Sequence, residues 1–157
     1  MKIPKTVKLL VSIILPLSIG AVAGIFTTKA IPGWFATLNN PSFAPPNWLF
    51  GPVWTTLYLV MGISLFQIWI LDAGNERNKA IFVFMLQLLF NFTWSFLFFY
   101  FNKIGLALID IIVLWMSIVL MLLQFYRLKP MAAYINIPYL LWVSFAMVLN
   151  SAYYILN

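Results

Sequence analysis

Gln87, Asn91, Trp94 and Ser95 stand at offsets of four, seven and eight residues, which on a helix places them on one face. Tyr139, Trp142, Ala146, Asn150 and Tyr153 follow at offsets of three, seven, eleven and fourteen and form a second stripe, with the small Ala146 between large rings. Trp54, Tyr58 and Met61 make a shorter third face behind Pro45-Pro46 and Gly51-Pro52. The chemistry on offer is noncovalent. Indole and phenol rings stack on flat π-systems and each carries one polar handle, and amides can orient a ligand's polar edge inside an apolar pocket. The same groups can instead serve the fold. An interhelical hydrogen bond in a membrane contributes about 0.6 kcal/mol on average, and Asn91 suits either role. For the 139–153 stripe alone, aromatic core packing is the simpler account.

Other chemistry is excluded by what is missing. The chain has no histidine and no cysteine, which removes the usual zinc ligands, haem-iron ligands and general bases and any disulfide framework. The only acids are Asp72, Glu76 and Asp110. A Ser-His-Asp triad cannot be assembled, and no metal site is expected. The nine Lys and Arg are scattered, with no basic stripe to follow a phosphate backbone, so nucleic acid is not an expected partner. A net charge of +6 fits loops facing anionic lipid.

The elements that position these groups must cross a membrane. Of 157 residues, 64% are apolar and 8% charged, against roughly half and a quarter in soluble domains. Five apolar stretches of membrane-spanning length, about 20 residues each, fall at 7–28, 48–71, 80–101, 106–126 and 134–156. Lipid offers no partner to an open strand edge, so they are read as helices. The expected fold is an all-α integral membrane protein, a five-helix transmembrane bundle in a single domain over 1–157, in contact with the lipid bilayer. Lys2, Lys5, Lys8, Arg77, Lys79, Arg127 and Lys129 fall on one side and only Lys29 and Lys103 on the other. The positive-inside rule then puts the N-terminus in the cytoplasm and the C-terminus outside. A competing reading of the first stretch is a cleaved signal sequence ending near Ala21-Val22-Ala23, but the apolar run continues to Phe26 and four more spans come after it.

The connection 29–47, with four prolines, Asn39-Asn40 and Trp34, Phe35 and Phe43, is long and aromatic enough to be a lid over a binding site or a plug in the bundle end. Gly20-Ala21-Val22-Ala23-Gly24 has the GxxxG spacing of close helix contacts. It could pack within the monomer, form a homodimer seam, or leave room for a ligand. Asp110, the one acid inside a span, is expected to sit one turn into its helix, where the macrodipole favours an acid.

Three segments together resemble the translocator protein family, also called the tryptophan-rich sensory protein (TspO) or peripheral benzodiazepine receptor family. WFATLNNPSFAPPNWLFGPVWTTLYLVMG, from Trp34 to Gly62, looks like its Trp-Tyr, Pro-x-Trp-x-Pro-Pro and Gly-Pro-Val-Trp-x-x-Leu-Tyr pattern. QLLFNFTWS from Gln87 and PYLLWVSFAMVLN from Pro138 look like its helix 3 and helix 5 motifs. Two departures stand out. Phe35 and Phe43 replace a tyrosine and a tryptophan common in the family, which keeps the rings but loses their donors. The helix 5 cholesterol-recognition pattern of mammalian members lacks its basic residue after Tyr153, so cholesterol binding is not carried over.

The resemblance implies a receptor or sensor for tetrapyrroles such as protoporphyrin IX and haem that also accepts benzodiazepine-type and isoquinoline carboxamide ligands. It implies a bundle that often dimerises, here a homodimer, and for a bacterial chain a plasma-membrane location. Residue by residue it assigns ligand contacts to Trp34 in the loop, Trp54 and Tyr58 on helix 2, Asn91 and Trp94 on helix 3, and Trp142 and Ala146 on helix 5; Gln87 joins them as a candidate from its place on the helix 3 face. Some bacterial relatives are said to degrade protoporphyrin in light, which makes Trp34, Trp54 and Trp142 candidates for photo-oxidation. No tightly bound cofactor is expected; protoporphyrin IX or haem would be the ligand. With neither His nor Cys, recognition would act on the macrocycle rather than on its iron. The alternative is a transporter of porphyrins or other small hydrophobic molecules, although no inverted repeat is evident.

Overall fold

A computed structural model describes residues 3–157; Lys2, one of the basic residues that set the expected orientation, lies outside them. Among the described residues five helical runs are long and apolar enough to cross a membrane. Helix α1 is Lys5–Ala30 and α2 is Phe50–Trp69, entered through a 3-10 turn at Asn47–Leu49. Helix α3 is Gly74–Ser95 and runs on through a π-helical turn at Phe96–Tyr100. Helix α4 is Ile104–Leu128, and the last span is divided into α5, Pro130–Tyr134, and α6, Ile137–Leu156. Around the bundle the neighbours run α1, α2, α5–α6, α4 and α3, with the π-helical end of α3 returning to α1.

Two boundaries differ from the sequence expectation, each for a local reason, while the third helix ends within one residue of the expected 101. The third helix begins at Gly74 rather than 80 because polar residues leave the bilayer without leaving the helix. Glu76 sits in its first turn, where an acid is favoured, and Lys79 Nζ reaches Glu76 Oε1 at 2.7 Å. The fifth span breaks between Tyr134 and Ile137 because Pro138 has no N–H and disfavours helical backbone before it. Asn136, buried at the break, donates from Nδ2 to the Ala132 carbonyl at 2.8 Å. The third helix closes at Asn102, whose φ of 57° is the left-handed conformation that asparagine tolerates better than most residues.

Two features fix how α1 meets α2. Pro16 lies inside α1 and cannot bond the Ser12 carbonyl, as a residue four positions on normally would. Gly62 of α2 comes to rest on that stretch of bare backbone. A Cβ on Gly62 would stand 2.8 Å from both the Ser12 carbonyl oxygen and Ile13 Cα. At this end Lys8 Nζ also donates to the Trp69 carbonyl at 3.2 Å and lies 5.8 Å from the Trp69 ring centre, a cation placed where a helix C-terminus favours one. Arg77 does the same for the Leu71 carbonyl at 3.1 Å.

Asp110 needs a different account from the one expected. Because α4 starts at Ile104, Asp110 is nearly two turns in, beyond the first turn where the macrodipole acts. It instead accepts a hydrogen bond from Thr93 Oγ1 at 2.7 Å, which ties α3 to α4.

Candidate functional site

A cavity of about 590 Å³ lies between the second half of α1, the start of α2 and the end of α3. This is the end of the bundle capped by the connection from α1 to α2. Trp54, Tyr58 and Trp94 form its aromatic wall, and Phe99 of the π-helical turn also reaches it. Gly20, Ala23 and Gly24 of α1 face them. A smaller recess of about 40 Å³ shares Trp54 and Trp94 and carries the space towards α6, where Trp142 and Ala146 line it.

The rings are held rather than loosely gathered. Trp54 stacks on Tyr58 with centroids 5.5 Å apart and planes at 29°. Trp94 stacks on Phe98 at 5.5 Å and donates its indole N–H to Asn150 Oδ1 at 3.0 Å. Asn150 Nδ2 in turn donates to the Ile104 carbonyl at 3.1 Å, so one amide fixes a cavity wall to both α6 and the start of α4. Trp142 meets Phe50 at 6.0 Å and Phe145 at 5.7 Å. Its indole N–H is buried and has no protein partner.

Gln87 and Asn91 do not line the cavity. They lie behind its wall, almost wholly buried, in a directed chain of hydrogen bonds. Tyr58 donates its hydroxyl to Asn91 Oδ1. Asn91 Nδ2 donates to the Tyr139 hydroxyl oxygen at 3.0 Å, and that hydroxyl donates to Gln87 Oε1 at 2.8 Å. The chain joins α2, α3 and α6 in an apolar interior where an unmade bond would be costly. It also commits the Tyr58 hydroxyl and both ends of the Asn91 amide to the protein, so these two side chains offer the cavity no free donor, whereas the Trp142 indole N–H at the recess has no partner in the protein. The structure thus brings Trp54, Tyr58, Trp94, Trp142 and Ala146 to two adjoining spaces that share Trp54 and Trp94, and places Gln87 and Asn91 one layer outside them.

Trp34 lies in the capping loop outside the cavity lining. Its ring packs edge-on against Phe98 at 5.8 Å. The next residue, Phe35, is buried in the 3-10 turn Phe35–Thr37, 5.4 Å from the Tyr153 ring and 5.7 Å from Phe99. The ring kept at position 35 therefore serves packing that needs no phenol. Phe43 is 48% exposed and touches Phe145 at 6.4 Å.

The α1 glycines resolve differently from one another. A Cβ on Gly20 would fall 2.3 Å from Tyr58 Cε2, whereas one on Gly24 would meet nothing within 4 Å. Gly20 makes room for a cavity ring, and Gly24 borders open space. Gly20 therefore fits packing within the monomer, and Gly24 fits room beside a cavity. Residues not singled out from the sequence are Phe98 and Phe99, which no pattern marks within the run FLFFY. Their placement comes from the π-helical turn, a departure from 3.6 periodicity.

Comparisons with known proteins agree in direction. The TspO/MBR family pattern matches residues 12–156. The chain is 42% identical over 151 residues to "Tryptophan-rich protein TspO" of Archaeoglobus fulgidus, covering 96% of this chain and 97% of that protein. It is 36% identical over 120 residues to the human "Translocator protein", covering 74% and 70%. It is 31% identical over 117 residues to the "Tryptophan-rich sensory protein" of Cereibacter sphaeroides, covering 74% and 72%.

Proposed function

The chain belongs to the TspO/MBR family, and from that premise we propose that it is a membrane receptor or sensor that binds tetrapyrroles such as protoporphyrin IX and haem in the cavity beneath its α1–α2 loop. The observation that carries this reading is the aromatic wall of Trp54, Tyr58 and Trp94 on a space of about 590 Å³. That volume lies within the roughly 300–1,000 Å³ of small-molecule sites. A flat macrocycle gains contact area by stacking on such rings, and the aryl rings of benzodiazepine-type and isoquinoline carboxamide ligands can use the same surfaces. Recognition acts on the macrocycle, because the wall supplies stacking surfaces and no histidine or thiolate for iron.

The test is titration of the detergent-purified protein with protoporphyrin IX, followed by tryptophan fluorescence. Saturable quenching that weakens in Trp54→Ala and Trp94→Ala supports the reading. Unsaturable quenching, or saturation unchanged in both variants, refutes it. Light-dependent breakdown of the bound porphyrin is a second reading, favoured by the indoles of Trp54 and Trp142 beside the same space. Excited porphyrin and dioxygen would supply the oxidising chemistry, and no acid–base residue is required.

The basic residues support an orientation as part of this proposal. Lys5, Lys8, Arg77, Lys79, Arg127 and Lys129 gather at the end away from the cavity, with Lys29 and Lys103 at the cavity end. The cavity end is then the outer one, in a bacterial cell the outer face of the plasma membrane. A homodimer belongs to the same family expectation.

A further inference from the structure

The cavity has two boundaries through which a ligand could pass, and they are built differently. The first is the loop end. Here the loop is clasped to the end of α6: the Asn39 backbone N–H donates to Asn157 Oδ1 at 2.8 Å, Asn157 Nδ2 donates to the Asn39 carbonyl at 3.2 Å, and the Tyr153 hydroxyl donates to Asn40 Oδ1 at 2.8 Å. Phe35 seals the space beneath this clasp by packing on Phe98 and Tyr153.

The second boundary is the side of the bundle between α1 and α2. These helices are pressed together where Gly62 meets Ser12 and Ile13, and they part towards the loop. A Cβ added to Gly24 or to Gly51 would meet nothing within 4 Å, yet both glycines line the cavity. So do Ala21, Thr28, Trp48 and Thr55, all exposed at the bundle surface. Both threonine hydroxyls at the slot edges are already used. Thr28 Oγ1 donates to the Gly24 carbonyl and Thr55 Oγ1 to the Gly51 carbonyl, each at 2.9 Å, so neither hydroxyl proton is left for the opening. The depth is also informative. At 1.5 Å per residue the stretch from Lys8 to Lys29 spans about 32 Å, close to the hydrocarbon thickness of a bilayer, and Gly24 lies about 8 Å inward of Lys29. A gap at that level faces lipid chains rather than water.

We infer that the cavity exchanges its ligand sideways, through the slot between α1 and α2, and takes up a flat, mostly apolar ring system directly from the bilayer while the loop stays clasped. This rests on the cavity being a ligand site. The slot admits a thin flat molecule because Ala21, Gly24 and Gly51 keep its edges low, and the exposed Trp48 ring beside them offers a stacking surface at its mouth.

The chain contains no cysteine, so an introduced pair is unambiguous. Asn39→Cys with Asn157→Cys replaces two residues already in contact, and oxidation locks the loop to α6. The full chain is placed in phosphatidylcholine nanodiscs, protoporphyrin IX is supplied from phosphatidylcholine vesicles, and tryptophan quenching is followed in time. The locked and reduced forms are expected to exchange porphyrin at rates within about twofold of each other, and Gly24→Phe, which fills the slot, to slow uptake by about tenfold or more. Exchange that stops on locking and returns with reductant overturns the inference. So does a Gly24→Phe protein that exchanges as fast as the unsubstituted chain. Absence of saturable quenching in the unsubstituted chain removes the receptor reading itself, and the route with it.

Discussion

Two glycine-to-alanine substitutions in the α1–α2 pair should move stability in opposite directions. At Gly62 the new methyl would stand 2.8 Å from Ile13 Cα and from the Ser12 carbonyl oxygen. Carbon atoms rest at about 3.5–4.0 Å, so the helices must separate by about 0.7 Å or more. Both obstacles are backbone and cannot rotate away. Overpacking of this kind costs about 1–3 kcal/mol, and Lys8 would be drawn off the Trp69 carbonyl as α1 moves. At Gly24 nothing lies within 4 Å, and alanine in a helix interior is favoured over glycine by up to about 1 kcal/mol. The same propensity gain applies at Gly62 and cancels in the comparison, so the expected gap between the two variants is about 1–3 kcal/mol. Thermal or detergent-denaturant unfolding of the purified protein measures it, with Gly62→Ala well below the unsubstituted protein and Gly24→Ala at or slightly above it. Equal stability of the two variants, or an unperturbed Gly62→Ala, would falsify the close α1–α2 approach and with it the origin of the slot.

The same contacts govern four further outcomes. Gly20→Ala places a methyl 2.3 Å from the Tyr58 ring, so it should tilt that ring into the cavity and weaken protoporphyrin affinity, read by quenching titration, while Gly24→Ala leaves the ring in place. Tyr139→Phe strips partners from both Asn91 Nδ2 and Gln87 Oε1, whereas Tyr58→Phe strips only Asn91 Oδ1. At about 0.6 kcal/mol per interhelical bond, rising towards about 1.7, the Tyr139 variant should lose roughly twice as much unfolding free energy, and equal losses would count against this hydrogen-bond chain. Asp110→Asn keeps an acceptor for Thr93 Oγ1, and that hydroxyl also reaches its own Phe90 carbonyl at 3.1 Å. Stability should change by less than about 0.6 kcal/mol, and a large loss would mean Asp110 does more than join α3 to α4. Illuminated with protoporphyrin IX, Trp142→Phe should lower the yield of any protein-dependent product more than Trp34→Phe does, because Trp142 lines the recess and Trp34 does not; absorbance spectra with dark controls decide.

The amino-acid sequence by itself determined that the chain is a bundle of five apolar spans, because hydrocarbon allows a buried backbone few solutions and the excess of apolar residues has nowhere else to go. That Trp54 and Tyr58 share one helix face and Trp94 another with Gln87 and Asn91 was also readable, since helical spacing sorts side chains by face before any packing is known; that the two faces meet at one pocket was implied only by the family resemblance. Spacing does not say how deep a face lies. Gln87 and Asn91 share their stripe with Trp94, yet only the tertiary structure shows them one layer behind the wall, their polar atoms turned to Tyr58 and Tyr139. Departures from regular helix were equally hidden. The π-helical turn that aims Phe98 and Phe99 inward and the break before Pro138 each shift the helical register of the residues beyond them. The slot between α1 and α2 was beyond reach for a similar reason. Gly20, Gly24, Gly51 and Gly62 read alike in one dimension, and only the crossing of the two helices decides which glycine is pressed against backbone and which is left facing open space.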